Sequence, residues 1–318
     1  MNRGACKFSA MASIAICVSG CLNETAPTKV SIETGDASFA GYYTVENATR
    51  TINETARDLL PGFGFEVMRV VTVGGSKLAV SRLGQLIPLS DLKRAKPSSF
   101  RGVRNPDHQL RLAFALQPLT PVFAEPNTSS AVVSRLPKLA VISVTLRDGP
   151  AGFYATANGW VKSTDVAVPT LALPPAVVAR DETWIDVDLK NQTLVIYEGV
   201  RPVFVTMISG GVGAQGTAFA TPLGLHRIVA KLRAATMDNL EHTHVIKYHY
   251  ESVPFTQYIG RVALHGVFWH DDFGRPKSHG CINLSLADAA YLFEITEPKL
   301  QNGAETARSE HGTVVQVR

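Results

Sequence analysis

The chain has 318 residues, 45% of them hydrophobic and 18% charged, so it can bury a sizeable core, and by length it holds two or three domains. Without Arg3 and Lys7, which lie in a segment expected to be removed, 29 of the 31 basic residues face 27 acidic ones. A balance of about +2 is too small for phosphate-backbone binding to organise the protein, which excludes a nucleic-acid partner.

The first twenty residues form an export signal. Arg3 and Lys7 make a basic start, and residues 8–18 make an apolar run. That run is shorter than the roughly 20 residues that span a bilayer but fits the core of a signal peptide. It ends in Val18-Ser19-Gly20-Cys21, which resembles a bacterial lipoprotein cleavage box. The resemblance implies that Cys21 becomes the lipidated first residue and anchors an exported, periplasmic protein to a membrane, the outer one favoured. The polar residues 21–41, opening with Asn23-Glu24-Thr25-Ala26-Pro27, serve as a tether. Export also makes the four cysteines informative. Cys6 and Cys17 are expected to leave with the signal and Cys21 to be acylated or lost, so Cys281 would stand alone in an oxidising compartment where structural thiols are normally paired. An unpaired Cys there is a candidate reactive group; the alternative is a buried, inert thiol.

Residues 42–105 show short apolar runs such as 66–73, a Gly74-Gly75 turn, and a closing phrase over 86–92, all hairpin signals. Within them, residues 49–60 predict one amphipathic helix with Ile52, Ala56, Leu59 and Leu60 on a face. Residues 106–170 carry strand-like runs at 120–126, 131–136, 141–146 and 159–166. Leu86-Ile87 with Ser90-Asp91-Leu92 is echoed, at the same interval, by Trp160-Val161 with Thr164-Asp165-Val166. The echo suggests two small barrels of related build. With its aromatic Phe153, Tyr154 and Trp160, the second region resembles the bacterial Src-homology-3-like domains that accompany cell-wall enzymes. Residues 171–181 are a linker.

The remaining residues, 182–318, are the most legible. Ile185, Val187 and Leu189 alternate with Asp186, Asp188 and Lys190, the pattern of a half-buried strand. Asn191-Gln192 and Glu198-Gly199 then turn two further strands, an antiparallel meander rather than a βαβ pattern. Ser285 is placed to cap a helix with Asp288 in its first turn and Leu286, Ala289, Ala290 and Phe293 as an apolar stripe. Residues 313–317 alternate as a closing strand. The fold class expected is mainly β with minor α: an antiparallel meander or sandwich with a few helices, preceded by one or two small β-barrels.

The chemistry concentrates in His265-Gly266, eleven intervening residues, and Ser278-His279-Gly280-Cys281-Ile282-Asn283. A thiol attacks carbonyls as the thiolate, and at a pKa of about 8.5 it needs a base at neutral pH. His279 is two residues from Cys281 and committed to the same turn, whereas His265 ends a strand-like run and can approach from a neighbouring strand. His265 is therefore the expected base. Gly280 lets the chain turn tightly, so the N–H groups of His279, Gly280 and Cys281 are expected to form a concavity for an oxyanion. Ser278, His279 and Asn283 are expected to orient that loop.

The order His-Gly, spacer, Ser-His-Gly-Cys-Ile-Asn resembles the signature of the L,D-transpeptidases, the YkuD-type peptidoglycan enzymes. The resemblance runs over about residues 184–293 and includes Thr221-Pro222-Leu223-Gly224 and Ala235-Thr236-Met237-Asp238. It implies that Cys281 is the nucleophile, that His265 activates it, and that the carbonyl of Gly266 orients the His265 ring. It implies attack after the third residue of a tetrapeptide stem, release of D-Ala, and transfer of the acyl group from a thioester to a side-chain amine as a 3→3 cross-link. Water as acceptor would make a carboxypeptidase, and a protein amine would make an enzyme that attaches proteins to the wall. No cofactor and no metal are implied, and the partners are peptidoglycan stems, with carbapenems as inhibitors. The spacer is short for the family, and residues 242–258 are a candidate lid. Tyr258, Met237, Trp269 and Arg275 are substrate-side candidates.

Four rival readings are weighed against it. Papain-like endopeptidases place Cys before His, the reverse of this order. A sortase would carry a Thr-Leu-x-Thr-Cys string, which is absent from the sequence. A zinc site could draw on His242, His244, His249, His265 and His270 with Asp271 and Asp272, although such histidines are more often solvated. A non-catalytic wall-binding lipoprotein would have no use for both Cys281 and His265.

Overall fold

The structure, a computed structural model, describes residues 36–52, 57–145, 152–238 and 248–318. The signal segment, most of the tether, Cys21, and the candidates His242 and His244 lie outside the described residues. The chain divides between Arg94 and Ala95 into two units.

The first unit contains β1 (Gly41–Val45), β2 (Thr49–Arg50), β3 (Asp58–Leu59), β4 (Gly64–Val73), β5 (Ser76–Ser81), β6 (Leu86–Pro88) and β7 (Leu92–Arg94). β1 pairs with β4 and β7, β4 with β5, and β5 with β6, all antiparallel. The β4–β5 hairpin turns on Gly74 (φ 56°) and Gly75 (φ 83°), the double positive φ that a two-residue turn of the favoured hand requires. Phe65 and Val67 point inward and are fully buried. The helix expected over 49–60 is not what forms. Thr49 pairs with Leu59 and Arg50 with Asp58 in a two-stranded ladder. Thr51 closes it by exchanging bonds with Arg57 through both its backbone and its hydroxyl. The run Thr49-Arg50-Thr51-Ile52 is rich in β-branched residues, which suit a pleated surface better than a helical turn.

The second unit opens with β8 (Val103–Arg104) and a seven-stranded sheet: β9 (Leu112–Ala115), β10 (Leu119–Phe123), β11 (Val132–Pro137), β12 (Val141–Thr145), β13 (Phe153–Thr156), β14 (Gly159–Lys162) and β15 (Val166–Ala167). Its order is β11-β10-β14-β13-β12-β9-β15. Ala113, Ala115, Val122, Ile142, Val144, Val161 and Val166 fill its interior. The phrase shared by residues 86–92 and 160–166 has one local structure in both places, a strand, a three-residue 3-10 turn and a strand.

The rest is β16 (Thr183–Asp188), β17 (Thr193–Glu198), β18 (Arg201–Met207), β19 (Gly224–Arg227), β20 (Ala230–Asp238), β21 (His249–Tyr258), β22 (Ala263–Gly266), β23 (Ile282–Leu284), α1 (Leu286–Ile295), β24 (Thr306–Arg308) and β25 (Val314–Val317). β16, β17 and β18 form the expected meander. α1 is the single α-helix among the described residues; Ser285 caps it by accepting the Asp288 N–H. Two features depart from the sequence reading. β25 joins β16 in parallel, Trp184 opposite Val314, rather than extending an all-antiparallel sheet. Asp186 and Asp188, read as the wet face of β16, are buried at 1% and 4% exposure, because Arg318 brings its guanidinium to both carboxylates.

The linker does not separate the small sheet from this last part. Leu110, Leu112, Phe114 and Ala167 share one apolar cluster with Trp184, Tyr197, Met207 and Phe273. β8 pairs with β18, so residues expected to close the first domain belong instead to the second unit.

Candidate active site

The site is built on a parallel pair. β22 lies antiparallel to β21 and parallel to β23, with Leu264 opposite Ile282, His265 opposite Asn283 and Gly266 opposite Leu284. Parallel neighbours need a crossover, and residues 267–281 supply it. Val267, Phe268 and Phe273 anchor that crossover in the core. Cys281 is its last residue and His265 sits on the adjacent strand, so sixteen positions of sequence collapse to one step between neighbouring strands. Both side chains line a cavity of about 390 Å³.

His265 is 2% exposed, and its Nδ1 lies 3.1 Å from the carbonyl oxygen of Gly266. A carbonyl only accepts, so Nδ1 carries the proton and Nε2 keeps its lone pair. Burial pushes the ring's pKa down to about 4; the bond to Gly266 works against that and the neighbouring His270 adds to it. At neutral pH His265 is an uncharged acceptor with a set tautomer. It can take a proton but does not hold one in advance.

The Cys281 loop is stitched to the end of β18. Ser278 N donates to Gly210 O, Val212 N to Ser278 O, and Ser209 exchanges two backbone bonds with Asn283. The Ser278 hydroxyl accepts the Gly280 N–H at 3.1 Å and donates to the Cys281 carbonyl. This corrects one expectation. The Gly280 N–H is taken by Ser278 and does not join an open concavity with its neighbours. Gly280 has φ 118°, and a Cβ there would meet Ala220 O at 3.1 Å and Val262 Cγ1 at 3.2 Å. Only glycine fits.

His279 lines the same cavity as Cys281 and His265. Its ring stacks on Tyr248 at 4.6 Å and 2°, and meets Phe219 edge-on at 4.8 Å. Asn283 is 3% exposed, and its amide lies 2.9 Å from Nε2 of His270. Nδ1 of His270 in turn accepts the Asp272 N–H.

These features can be set beside known proteins. The family model of the L,D-transpeptidase catalytic domain, YkuD, matches residues 182–317. A curated relative, "Putative L,D-transpeptidase YciB" of Bacillus subtilis (strain 168), is 28% identical over 126 residues, 37% of this chain and 62% of that protein. The chain therefore spans less than two thirds of that relative's length. Among solved structures, the catalytic domain of the Enterococcus faecium L,D-transpeptidase acylated by ertapenem is 27% identical and covers 44% of this chain and 99% of its own, with a TM-score of 0.33. The L,D-transpeptidase of Mycobacterium smegmatis is 17% identical, over 71% of this chain and 89% of its own, with a TM-score of 0.33.

Around the cavity, Met237, Tyr258, Trp269 and Asn283 are part of the lining. Arg275 is not. Gly274 (φ 92°) and Pro276 flank it at the bend of the crossover, and its side chain stands in solvent. The candidate lid is described from Tyr248 onward, and most of that part is strand β21. Sequence reasoning missed Tyr248 and Tyr250, whose alternate spacing on an extended segment was the available signal. Tyr250 stacks on Trp269 at 3.8 Å and 11°, and both tyrosines line the cavity. It also missed Arg261, an exposed residue of the β21–β22 loop that contributes to the lining. No local pattern marked it. Among the described residues no three His, Cys, Asp or Glu side chains converge to hold a metal. His249 instead meets Glu251 at 3.0 Å.

The small sheet supports the short spacer directly. Lys138 donates to the carbonyl of Asp271 at 2.9 Å and pairs with the Asp272 carboxylate at 3.5 Å. Gly274 lets Leu116 and Met207 close on the crossover, since a Cβ would meet them at 2.6 and 2.9 Å.

Proposed function

We propose that the protein is a peptidoglycan L,D-transpeptidase that works through a thioester on Cys281. The observation that carries the reading is that His265, with Nδ1 engaged by Gly266, shares one cavity with Cys281 across adjacent parallel strands. In the proposed reaction Nε2 of His265 takes the thiol proton as Sγ attacks the carbonyl after the third residue of a tetrapeptide stem. Negative charge passes to the carbonyl oxygen, where backbone N–H donors stabilise it. The C–N bond then breaks, the proton returns from His265 to the departing nitrogen, and D-Ala leaves with a thioester behind it. A side-chain amine of a second stem attacks the thioester, giving a 3→3 amide and restoring the thiol. With water as acceptor the same steps give an L,D-carboxypeptidase, and with a protein amine they attach a protein to the wall. The export signal and the lipid anchor at Cys21 belong to the same proposal and put the enzyme in the periplasm, facing its substrate.

The test is intact-mass measurement after exposure to ertapenem, then to a disaccharide tetrapeptide. Wild type is expected to gain one ertapenem equivalent and Cys281→Ala none; the tetrapeptide is expected to yield D-Ala and cross-linked dimer. A wild type that gains no adduct, or a Cys281→Ala protein that gains the same one, overturns the reading.

A further inference from the structure

An acyl transfer of this kind needs a donor aimed at the oxygen on which charge appears, and the backbone shows how one donor is aimed. The carbonyl of Gly280 and the N–H of Cys281 belong to a single planar peptide group and point to opposite sides of the chain. Whatever holds the oxygen therefore sets the direction of the N–H. The oxygen is held by the Thr221 hydroxyl at 2.8 Å. The same hydroxyl accepts the Gly211 N–H at 2.8 Å, so its one proton is committed to Gly280. Thr221 is 1% exposed, which leaves water little access to compete for either bond. On the other side, Ser278 ties down the Gly280 N–H and the Cys281 carbonyl, fixing the two peptide groups that flank this one.

We propose that Thr221 is a positioning residue for acyl transfer: its hydroxyl fixes the Gly280–Cys281 peptide plane and so aims the Cys281 N–H at the oxyanion. Thr221 touches neither thiol nor substrate. It acts through the backbone, on the tetrahedral intermediate rather than on the nucleophile. This rests on the thioester reading above.

Two reactions of the same thiol separate this role from a structural one. Acylation by ertapenem passes through an oxyanion, whereas alkylation by iodoacetamide displaces iodide at a saturated carbon and needs none. Thr221→Val keeps the shape and removes the hydroxyl; Thr221→Ser keeps the hydroxyl. Thr221→Val is expected to slow ertapenem acylation by about tenfold or more while iodoacetamide alkylation stays within about twofold, and Thr221→Ser is expected to acylate within about twofold of wild type. Melting temperatures of both variants accompany the rates. The inference is overturned if Thr221→Val acylates at the wild-type rate, or if it slows both reactions equally. It is also overturned if Thr221→Ser, at the wild-type melting temperature, is as slow as Thr221→Val. In each of these cases the thioester reading stands. A wild type that takes iodoacetamide on Cys281 but no ertapenem overturns that reading, and this inference with it.

Discussion

Replacing His265 by Gln tests whether the base is stored neutral. An ordinary histidine titrates near 6.5, and burial brings His265 down to about 4. Between those values the unfolded chain binds a proton that the folded chain refuses, so stability is full above about pH 6.5 and drains away as pH falls toward 4. Linkage over this window gives about 2.5 kcal/mol lost between pH 7.5 and 4.5 from this one side chain. Glutamine fills a similar space and does not titrate. His270, also pushed down to about 4 by burial, is present in both proteins and cancels in the difference. The assay is urea unfolding at the two pH values, followed by tryptophan fluorescence. Wild type should lose about 2.5 kcal/mol more than His265→Gln on acidification. Equal losses in the two proteins would refute the buried, neutral imidazole and with it the ready acceptor at Nε2.

Two further changes probe the frame around the site. Gly280→Ala forces a side chain into φ 118° and against Ala220 O, at a strain of about 1–3 kcal/mol; acylation by ertapenem should fall by about tenfold or more, and an unchanged rate would count against the tight turn. Lys231, fully buried, donates to the carbonyls of Phe293 and Thr296 and to the Thr296 hydroxyl at the end of α1. Lys231→Met orphans those acceptors and should cost about 2–4 kcal/mol, read as a melting temperature lowered by roughly 5–15 °C; a shift under about 1 °C would show that water satisfies them.

Much of the site was legible because its signals are local. The Ser278-to-Asn283 string identifies a tight turn before a strand, and the glycine in it is one that no side chain could replace. Ser285 caps α1 where its spacing to the apolar run said it would. The helix expected over 49–60 failed for the opposite reason. Period alone does not distinguish a short amphipathic turn from two strands whose partners lie elsewhere, and the pairing of Thr49 with Leu59 decided it. Likewise Asp186 and Asp188 read as solvent-facing until Arg318, far along the chain, covered them.

By itself, then, the amino-acid sequence singled out the candidate pair: a cysteine in a Ser-His-Gly-Cys string, a histidine ending a strand-like run, and a glycine turn between them. Those are properties of residue type and spacing. Only the tertiary structure decided that the two strands run parallel and that the Thr221 hydroxyl bonds the Gly280 carbonyl. It also made the small sheet a support for the crossover, through Lys138 on Asp271 and Asp272. One such bond, from Lys138 to Asp271, joins residues 133 positions apart, and no local pattern encodes which of many possible partners a carbonyl or a hydroxyl will find once the core has closed.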